Sequence, residues 1–259
     1  MGVEQVQLSA VVITYNEEAN IERCLASLEF ADEIVVLDSN STDRTREIAS
    51  RYADKVSCRE FKGMSEQKAA AVELCSNEWF ILVDADEEIT SDLAIEIRTV
   101  MENPVYDAYR MPRLTEFVGR PMHHGGWYPD YQIRLAKKAK IEFPHRLVHA
   151  PMVVSGTCGT LNNDILHYTY PTLAEYFRKM IAYNSLAARQ KLNEGHAFRI
   201  TDLIFNPVFR FVKKYFLQQG FRDGLHGFVL SVLTACGSAI RYSMLWEMSV
   251  RKKNDKENQ

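Results

Sequence analysis

Between residues 8 and 83 the chain alternates two hydrophobic rhythms. Near-continuous apolar runs at 8–13, 33–37 and 79–83, with a weaker one at 55–58, are separated by segments whose apolar residues recur at helical spacing. Ile21, Cys24, Leu25 and Leu28 mark one face of 19–28, and helical segments at 43–52 and 65–75 follow, with Ser41, Thr42 and Asp43 as N-cap candidates for the first of these. Runs rich in Val and Ile that lack polar alternation predict parallel strands covered on both faces. Strand–helix alternation at this spacing predicts an open, right-handed α/β sheet. Such sheets take ligands at the carboxyl ends of their strands, so the residues just after each run are the ones to weigh.

Beyond residue 104 the pattern changes. A strand over 106–114, a loop rich in Gly, Pro, His and aromatics over 119–130, and short strands at 131–135, 141–143 and 152–154 are expected. From Thr172 strand signals stop, and 173–192, 202–219 and 225–248 read as three helices punctuated by Gly195, Pro207 and Gly220. The expected organisation is a catalytic domain over 1–170 and a helical extension over 171–259.

Composition excludes several classes. At 46% hydrophobic and 25% charged, the chain is neither disordered nor collagen-like. Five scattered cysteines, without a C-x-x-C pair, disfavour a disulfide scaffold or structural zinc and point to the reducing cytoplasm. No basic n-region and long apolar segment open the sequence, so export is not expected. The net charge of −3 hides an asymmetry: residues 1–170 hold 17 Lys+Arg against 27 Asp+Glu, and residues 171–259 hold 14 against 7.

Three strand ends carry candidate chemistry. Thr14, Tyr15, Asn16 and Glu17 offer hydroxyl, ring, amide and carboxylate groups to a nucleoside, although a polar turn capping the next helix is the plainer reading of these residues alone. Asp38 and Ser39 can grip a ribose or base, or open a capped helix. The third end, Asp84-Ala85-Asp86-Glu87-Glu88, places two carboxylates one residue apart after a buried strand. Carboxylates are ionised at neutral pH, and oxygen donors select a hard cation, Mg²⁺ or Mn²⁺. Its alternative is an acidic first turn of a helix. The chain has no G-x-x-x-x-G-K-[ST] and no G-x-G-x-x-G after its first strand, which disfavours a P-loop or a dinucleotide dehydrogenase. A bound diphosphate would then be neutralised by metal and side chains, Lys68 among them, unless Lys68 is simply a solvated helix lysine.

Taken in order, VVITYNEEANIERCLASL, EIVVLDSNSTDRT and EWFILVDADEE resemble family 2 glycosyltransferases of the GT-A fold. The later GGWYPDYQIRL, LVH, LHYTY and GFRDGLHGF are similar to the subgroup that adds glucose to inner-core heptose of lipopolysaccharide, so the likeness covers roughly residues 7–225. The resemblance implies a Rossmann-like, mostly parallel sheet with helices on both faces plus a C-terminal helical extension. It implies inverting transfer of a hexose from a nucleotide-diphosphate sugar, UDP-glucose foremost, to a lipid-linked saccharide acceptor. It assigns a divalent cation to Asp84 and Asp86, with Thr14, Tyr15, Asn16, Glu17, Asp38, Ser39, Lys68 and Asp84 around the nucleotide, and Asp130 as general base. Inversion requires in-line attack by an acceptor hydroxyl, a base for its proton and charge compensation for the departing diphosphate. A C-terminal histidine, His149 or His167, completes the metal shell in this reading; a satisfied structural histidine is the commoner role. His123 and His124 are candidates to touch the acceptor or a phosphate. The subgroup's Val-His-Glu is Val148-His149-Ala150 here, a difference on the acceptor side.

The extension mixes Arg210, Lys213, Lys214, Arg222 and Arg241 with Phe205, Phe209, Phe211, Tyr215, Phe216 and Trp246 around a 13-residue apolar run at 228–240, too short to span a bilayer. This suits a peripheral seat on the anionic cytoplasmic face of the inner membrane, the alternative being a helical subdomain with solvated cations. No RNA-binding motif is present, and nucleic acid is not an expected partner. Transfer to a polyprenyl phosphate, or a non-catalytic sugar-nucleotide-binding scaffold, are the rival functions.

Overall fold

A computed structural model describes residues 6–144 and 152–257. β1 (Leu8–Thr14), α1 (Ile21–Ala26), β2 (Glu33–Asp38), α2 (Thr45–Ala49), β3 (Lys55–Cys58), α3 (Met64–Glu73) and β4 (Trp79–Asp84) follow the expected alternation. The first two helices are shorter than their periodicity suggests. At α2 the reason is visible: Asp43 accepts from the Thr45 backbone N–H and hydroxyl, and Ser41 is held by Asp38, so 39–44 is a cross-braced loop and not a helical turn.

The acidic run after β4 is not a helix start. It turns at 85–86 into a short strand, β5 (Glu87–Ile89), and α4 (Ser91–Glu102) begins only behind Thr90, whose hydroxyl accepts from the Leu93 N–H. There follow β6 (Ala108–Phe117), β7 (Arg120–Pro121), β8 (Asp130–Lys137), β9 (Ile141–Glu142), β10 (Val153–Val154), β11 (Cys158–Thr160) and β12 (Ile165–Tyr170). Three long helices come last: α5 (Leu173–Asn193), α6 (Ile200–Val212), continued by a π-helical turn at Lys213–Leu217, and α7 (Gly224–Glu257).

The main sheet runs β3-β2-β1-β4-β8-β6-β12-β5. Its first four strands are parallel, β8 is antiparallel to β4 and β6, and β5 is antiparallel to β12. Register aligns the carboxyl ends: Thr14 faces Asp38, and Ile13 faces Leu37 on one side and Asp84 on the other. Alternate strand residues enter two cores. Leu8, Ala10, Val12, Val36, Ile81 and Val83 pack with α1, α2 and α4, whereas Val11, Ile13, Val35, Leu37, Phe80 and Leu82 pack with α3. Helices therefore cover both faces, which is why the strand sequences lack a polar alternation.

The chain forms two compact units, one holding residues up to Leu114 and Asp130–Tyr168, the other Thr115–Pro129 and the chain from Thr169 on. The expected boundary at 170 falls beside the second crossing, but the Gly- and aromatic-rich loop belongs with the helices. The end of β6 explains this: Phe117 is buried with Met122, Tyr176, Met180 and Leu230, its ring 5.4 Å from that of Tyr176. In the same unit His124 is held by Asp223, which accepts from its backbone N–H at 2.8 Å and lies 2.7 Å from its ring Nδ1. The apolar run at 228–240 turns part of its surface inward, with Leu230, Ser231 and Ser238 buried. The helical stretch Gly220–Lys252 that contains it is, by length and composition, long and apolar enough to cross a bilayer.

Candidate active site

The three strand ends differ in what they leave open. Asp38 is fully buried, and both its oxygens accept from Ser41, one from the backbone N–H at 2.8 Å and the other from the hydroxyl. Asn16 adopts a left-handed backbone (φ 52°) and its amide oxygen accepts from the Thr42 N–H at 2.8 Å. Glu17 donates its N–H to Thr45 Oγ1 and accepts from the Asn20 side chain. Asp38, Asn16 and Glu17 thus brace the two loops against each other. Still presented are Tyr15, 57% exposed, Asn16, also exposed, and half-buried Ser39, whose hydroxyl accepts from the Gln67 amide at 3.0 Å.

Among the described residues, three buried polar atoms on the strands and helix around this edge find no hydrogen-bond partner: Thr14 Oγ1, Gln67 Oε1 and Arg134 Nε. Orphaned groups of this kind are rare in a finished interior and mark places where a ligand or water completes the bonding.

At the end of β4 the charges form a chain. Lys68 Nζ, from α3, lies 3.5 Å from Asp84 Oδ1, and Arg134 Nη2, from β8, lies 2.6 Å from Asp84 Oδ2. The same Arg134 nitrogen donates to Glu87, Glu87 accepts from Arg113 of β6 at 3.2 Å, and Arg113 donates to Asp130 Oδ2 at 2.6 Å. Glu87 is fully buried and also accepts from the Asp84 N–H at 3.0 Å. Positive and negative groups alternate from Lys68 to Asp130 without a break. Burial works to raise the Asp84 pKa, but Arg134 and Lys68 override it and hold the carboxyl far below the usual carboxylate range. Burial depresses Lys68 despite Asp84, while Asp84 and Glu87 outweigh burial at Arg134 and keep it firmly charged. Lys68 and Arg134 also line a cleft of about 160 Å³ with Leu82, Tyr131, Gln132, Ile133 and Met152.

The second acid of the pair has a different partner. β12 runs antiparallel to β5 and sets His167 opposite Glu87, with His167 Nε2 3.4 Å from Asp86 Oδ2. Carboxylate oxygen and imidazole nitrogen suit Mn²⁺, and two protein donors would leave positions for phosphate oxygens. The donor chemistry of Asp86 and His167 therefore fits a divalent cation, while both Asp84 oxygens are engaged by cationic side chains. Among the described residues no three acidic, histidine or cysteine side chains converge on one point. His149 lies outside the described residues. Asp130 is 38% exposed at its side chain, with Gln132 on its second oxygen at 2.8 Å.

Arg134, Glu87, Arg113 and Gln67 were not among the residues expected from sequence. A signal existed for the arginines: each stands alone in an apolar strand segment, Ile133-Arg134-Leu135 and Pro112-Arg113-Leu114, where a buried cation demands a counter-charge.

The chain matches the family described as Glycosyl transferase family 2 over residues 9–166. LpsC, a lipopolysaccharide core biosynthesis glycosyltransferase of Rhizobium meliloti, is 28% identical over 96% of this chain and 96% of its own length. An uncharacterized glycosyltransferase of Rickettsia typhi is 29% identical over 96% of this chain and 89% of that protein. Among solved structures, S. aureus TarS in complex with UDP-GlcNAc aligns with a TM-score of 0.50 at 16% identity, over 96% of this chain and 92% of that one. The mannosyltransferase PcManGT from Pyrobaculum calidifontis, in complex with GDP-Man and Mn²⁺, aligns at 0.50 and 16% identity over 90% and 73%. These likenesses give the GT-A fold expected from the motifs. With the family match spanning β1 to β12 and the edge that carries the charge chain, the protein is a glycosyltransferase and belongs to glycosyl transferase family 2.

Proposed function

We propose that the protein moves a hexose, glucose from UDP-glucose foremost, with inversion onto a lipid-linked saccharide of a lipopolysaccharide core or surface polysaccharide. The observation that carries this reading is the unbroken charge chain from Lys68 through Asp84, Arg134, Glu87 and Arg113 to Asp130. It links a cation-lined cleft at the sheet's carboxyl edge, suited to a diphosphate, with an exposed carboxylate suited to a proton. LpsC, whose name places it in lipopolysaccharide core biosynthesis, supports the acceptor class. TarS, which binds UDP-GlcNAc, supports a uridine carrier.

In this reading Tyr15 and Ser39 face the nucleoside, and Thr14 and Gln67 complete their bonding on it. Lys68 and Arg134 neutralise the diphosphate. A Mg²⁺ or Mn²⁺ ion would be held by Asp86 and His167, with Asp84 beside them, and would lower the cost of negative charge on the leaving group. Asp130 takes the proton of the acceptor hydroxyl as it attacks the anomeric carbon; Arg113 fixes its orientation. The helical unit sits peripherally on the cytoplasmic face of the inner membrane, where a lipid-linked acceptor lies.

Calorimetry with UDP, with and without Mn²⁺, together with turnover of Asp130→Asn, tests the assignment. UDP should bind more tightly with Mn²⁺, and Asp130→Asn should lose turnover while keeping UDP affinity. Full turnover by that variant would remove Asp130 as the base. Transfer to a polyprenyl phosphate but to no saccharide would replace the acceptor.

A further inference from the structure

Within the helical unit, α6 carries the most exposed run of large apolar side chains at helical spacing. Along α6 and the π-helical turn after it, Ile204, Phe205, Val208, Phe209, Val212 and Phe216 follow one another at helical spacing, and every one is exposed, Phe205 at 67% and Val208 at 61%. None of the described residues of α6 is buried. At 3.6 residues per turn Arg210 and Lys213 fall on one flank of this stripe, within about a sixth of a turn, with Asp202 of the first turn beside them. From Leu203 to Arg222 the sequence holds Arg210, Lys213, Lys214 and Arg222 and not a single Asp or Glu.

We infer that α6 and its π turn, not the run at 228–240, form the membrane seat: the Phe205–Phe209 face lies in the headgroup boundary of an anionic bilayer, with Arg210 and Lys213 on lipid phosphates. This specifies the peripheral membrane location proposed above, and it does not depend on the donor assignment. Large apolar residues on one face with basic residues beside them are what an interfacial helix needs. Against the single acid of the helix, Asp202, stand Arg210, Lys213 and Lys214, a net charge of the sign opposite to that of anionic lipid. With its π turn, α6 covers 18 residues, Ile200–Leu217; one side packs on α7, where Phe211 and Tyr215 meet the Phe228 ring, and the Phe205–Phe209 side is left exposed.

The long α7 does not take this role. Arg241 donates to the Asn184 side chain of α5 at 3.0 Å, and a side chain at Gly237 would meet Asn184 and Met180 within 3.3 Å. Helix α5, packed along α7, carries Glu175, Arg178, Arg189 and Lys191, so lipid around this pair would have to accept those charges as well.

The test uses the full chain and co-sedimentation with phosphatidylcholine vesicles, with and without phosphatidylglycerol, in the absence of nucleotide. Wild-type protein should sediment with the anionic vesicles. The Phe205→Ser/Phe209→Ser variant should lose about a hundred-fold in partition. Arg210→Gln/Lys213→Gln should lose about thirty-fold on anionic vesicles and little on neutral ones. Because all four side chains are exposed, circular dichroism of both variants should match wild type. Wild-type partition by the phenylalanine variant would overturn the inference. So would a wild-type dimer by light scattering that the same variant dissolves, since a second copy would then cover the face. UDP calorimetry on these variants separates the two readings: vesicle binding as stated without UDP uptake refutes the donor assignment alone.

Discussion

Replacing Glu87 by glutamine removes one charge from the middle of the ion-pair chain while keeping its shape. Glu87 is fully buried and faces two arginines, Arg134 and Arg113, and the Asp84 N–H. Arg134 keeps Asp84 and Arg113 keeps Asp130, so neither cation is left bare. What is lost is the shared counter-charge between them, and two guanidinium groups then repel across a site with little water. Removing one partner of a buried pair costs roughly 3–5 kcal/mol, and the surviving pairs place this case at the lower end, about 3 kcal/mol. For a chain of this length roughly 2–4 °C accompanies each kcal/mol, so the melting temperature should fall by about 6–12 °C. Differential scanning calorimetry of the ligand-free protein measures it directly. A fall below about 2 °C would mean that Glu87 does not balance the arginines, and the continuity of the chain would lose its physical meaning.

Other perturbations follow from the same geometry. Asp84 has a folded-state pKa depressed below its unfolded value near 4, so its contribution to stability is present above about pH 4 and fades as pH falls further. Acid titration should therefore find wild type and Asp84→Asn far apart at pH 6 and converging below about pH 4; a constant gap would contradict this sign. Asp223→Asn weakens the grip on His124 and should cost about 1–3 kcal/mol in urea unfolding. Burial pushes the Cys75 thiol up to about 11, so at pH 8 exposed Cys58 should be alkylated well before Cys75, as peptide mass mapping would show. Lys68→Met removes a cation from the cleft and should lower UDP affinity about ten-fold by calorimetry while Arg134 keeps Asp84 paired.

The parallel half of the fold was legible because its strands are buried on both faces. A strand so placed is mostly apolar, and β1, β2 and β4 are, with Ser9 the one polar residue inside β1, its hydroxyl donating to Glu33. The acid pair after β4 was legible for the same reason, since polarity begins abruptly where burial ends. Glu87 was not. In sequence it is one of four acids in Asp84–Glu88, and only the turn at 85–86 and the β5–β12 pairing make it a buried strand residue, not the first turn of a helix. His167 was weighed, but its partner could not be read across eighty residues of chain. The loop at 119–130 was read as part of the catalytic domain because loops reveal little of what they pack on; Met122, buried with Phe117 at the end of β6, binds it to the helices.

The pairing of β12 with β5 also sets an order of events on the ribosome. The acids of the turn leave the exit tunnel long before their antiparallel neighbour is synthesised. Until Tyr168 arrives to bond the Asp86 carbonyl through its N–H and Glu88 through its hydroxyl, the four parallel strands can collapse around α1 and α3, and Arg134 and Arg113 can hold Asp84 and Glu87, but Asp86 and Glu88 lack their β12 contacts. A nascent chain halted before residue 165 would carry the hydrophobic scaffold and the ion pairs from Lys68 to Asp130, and would lack the strand that brings His167 to Asp86.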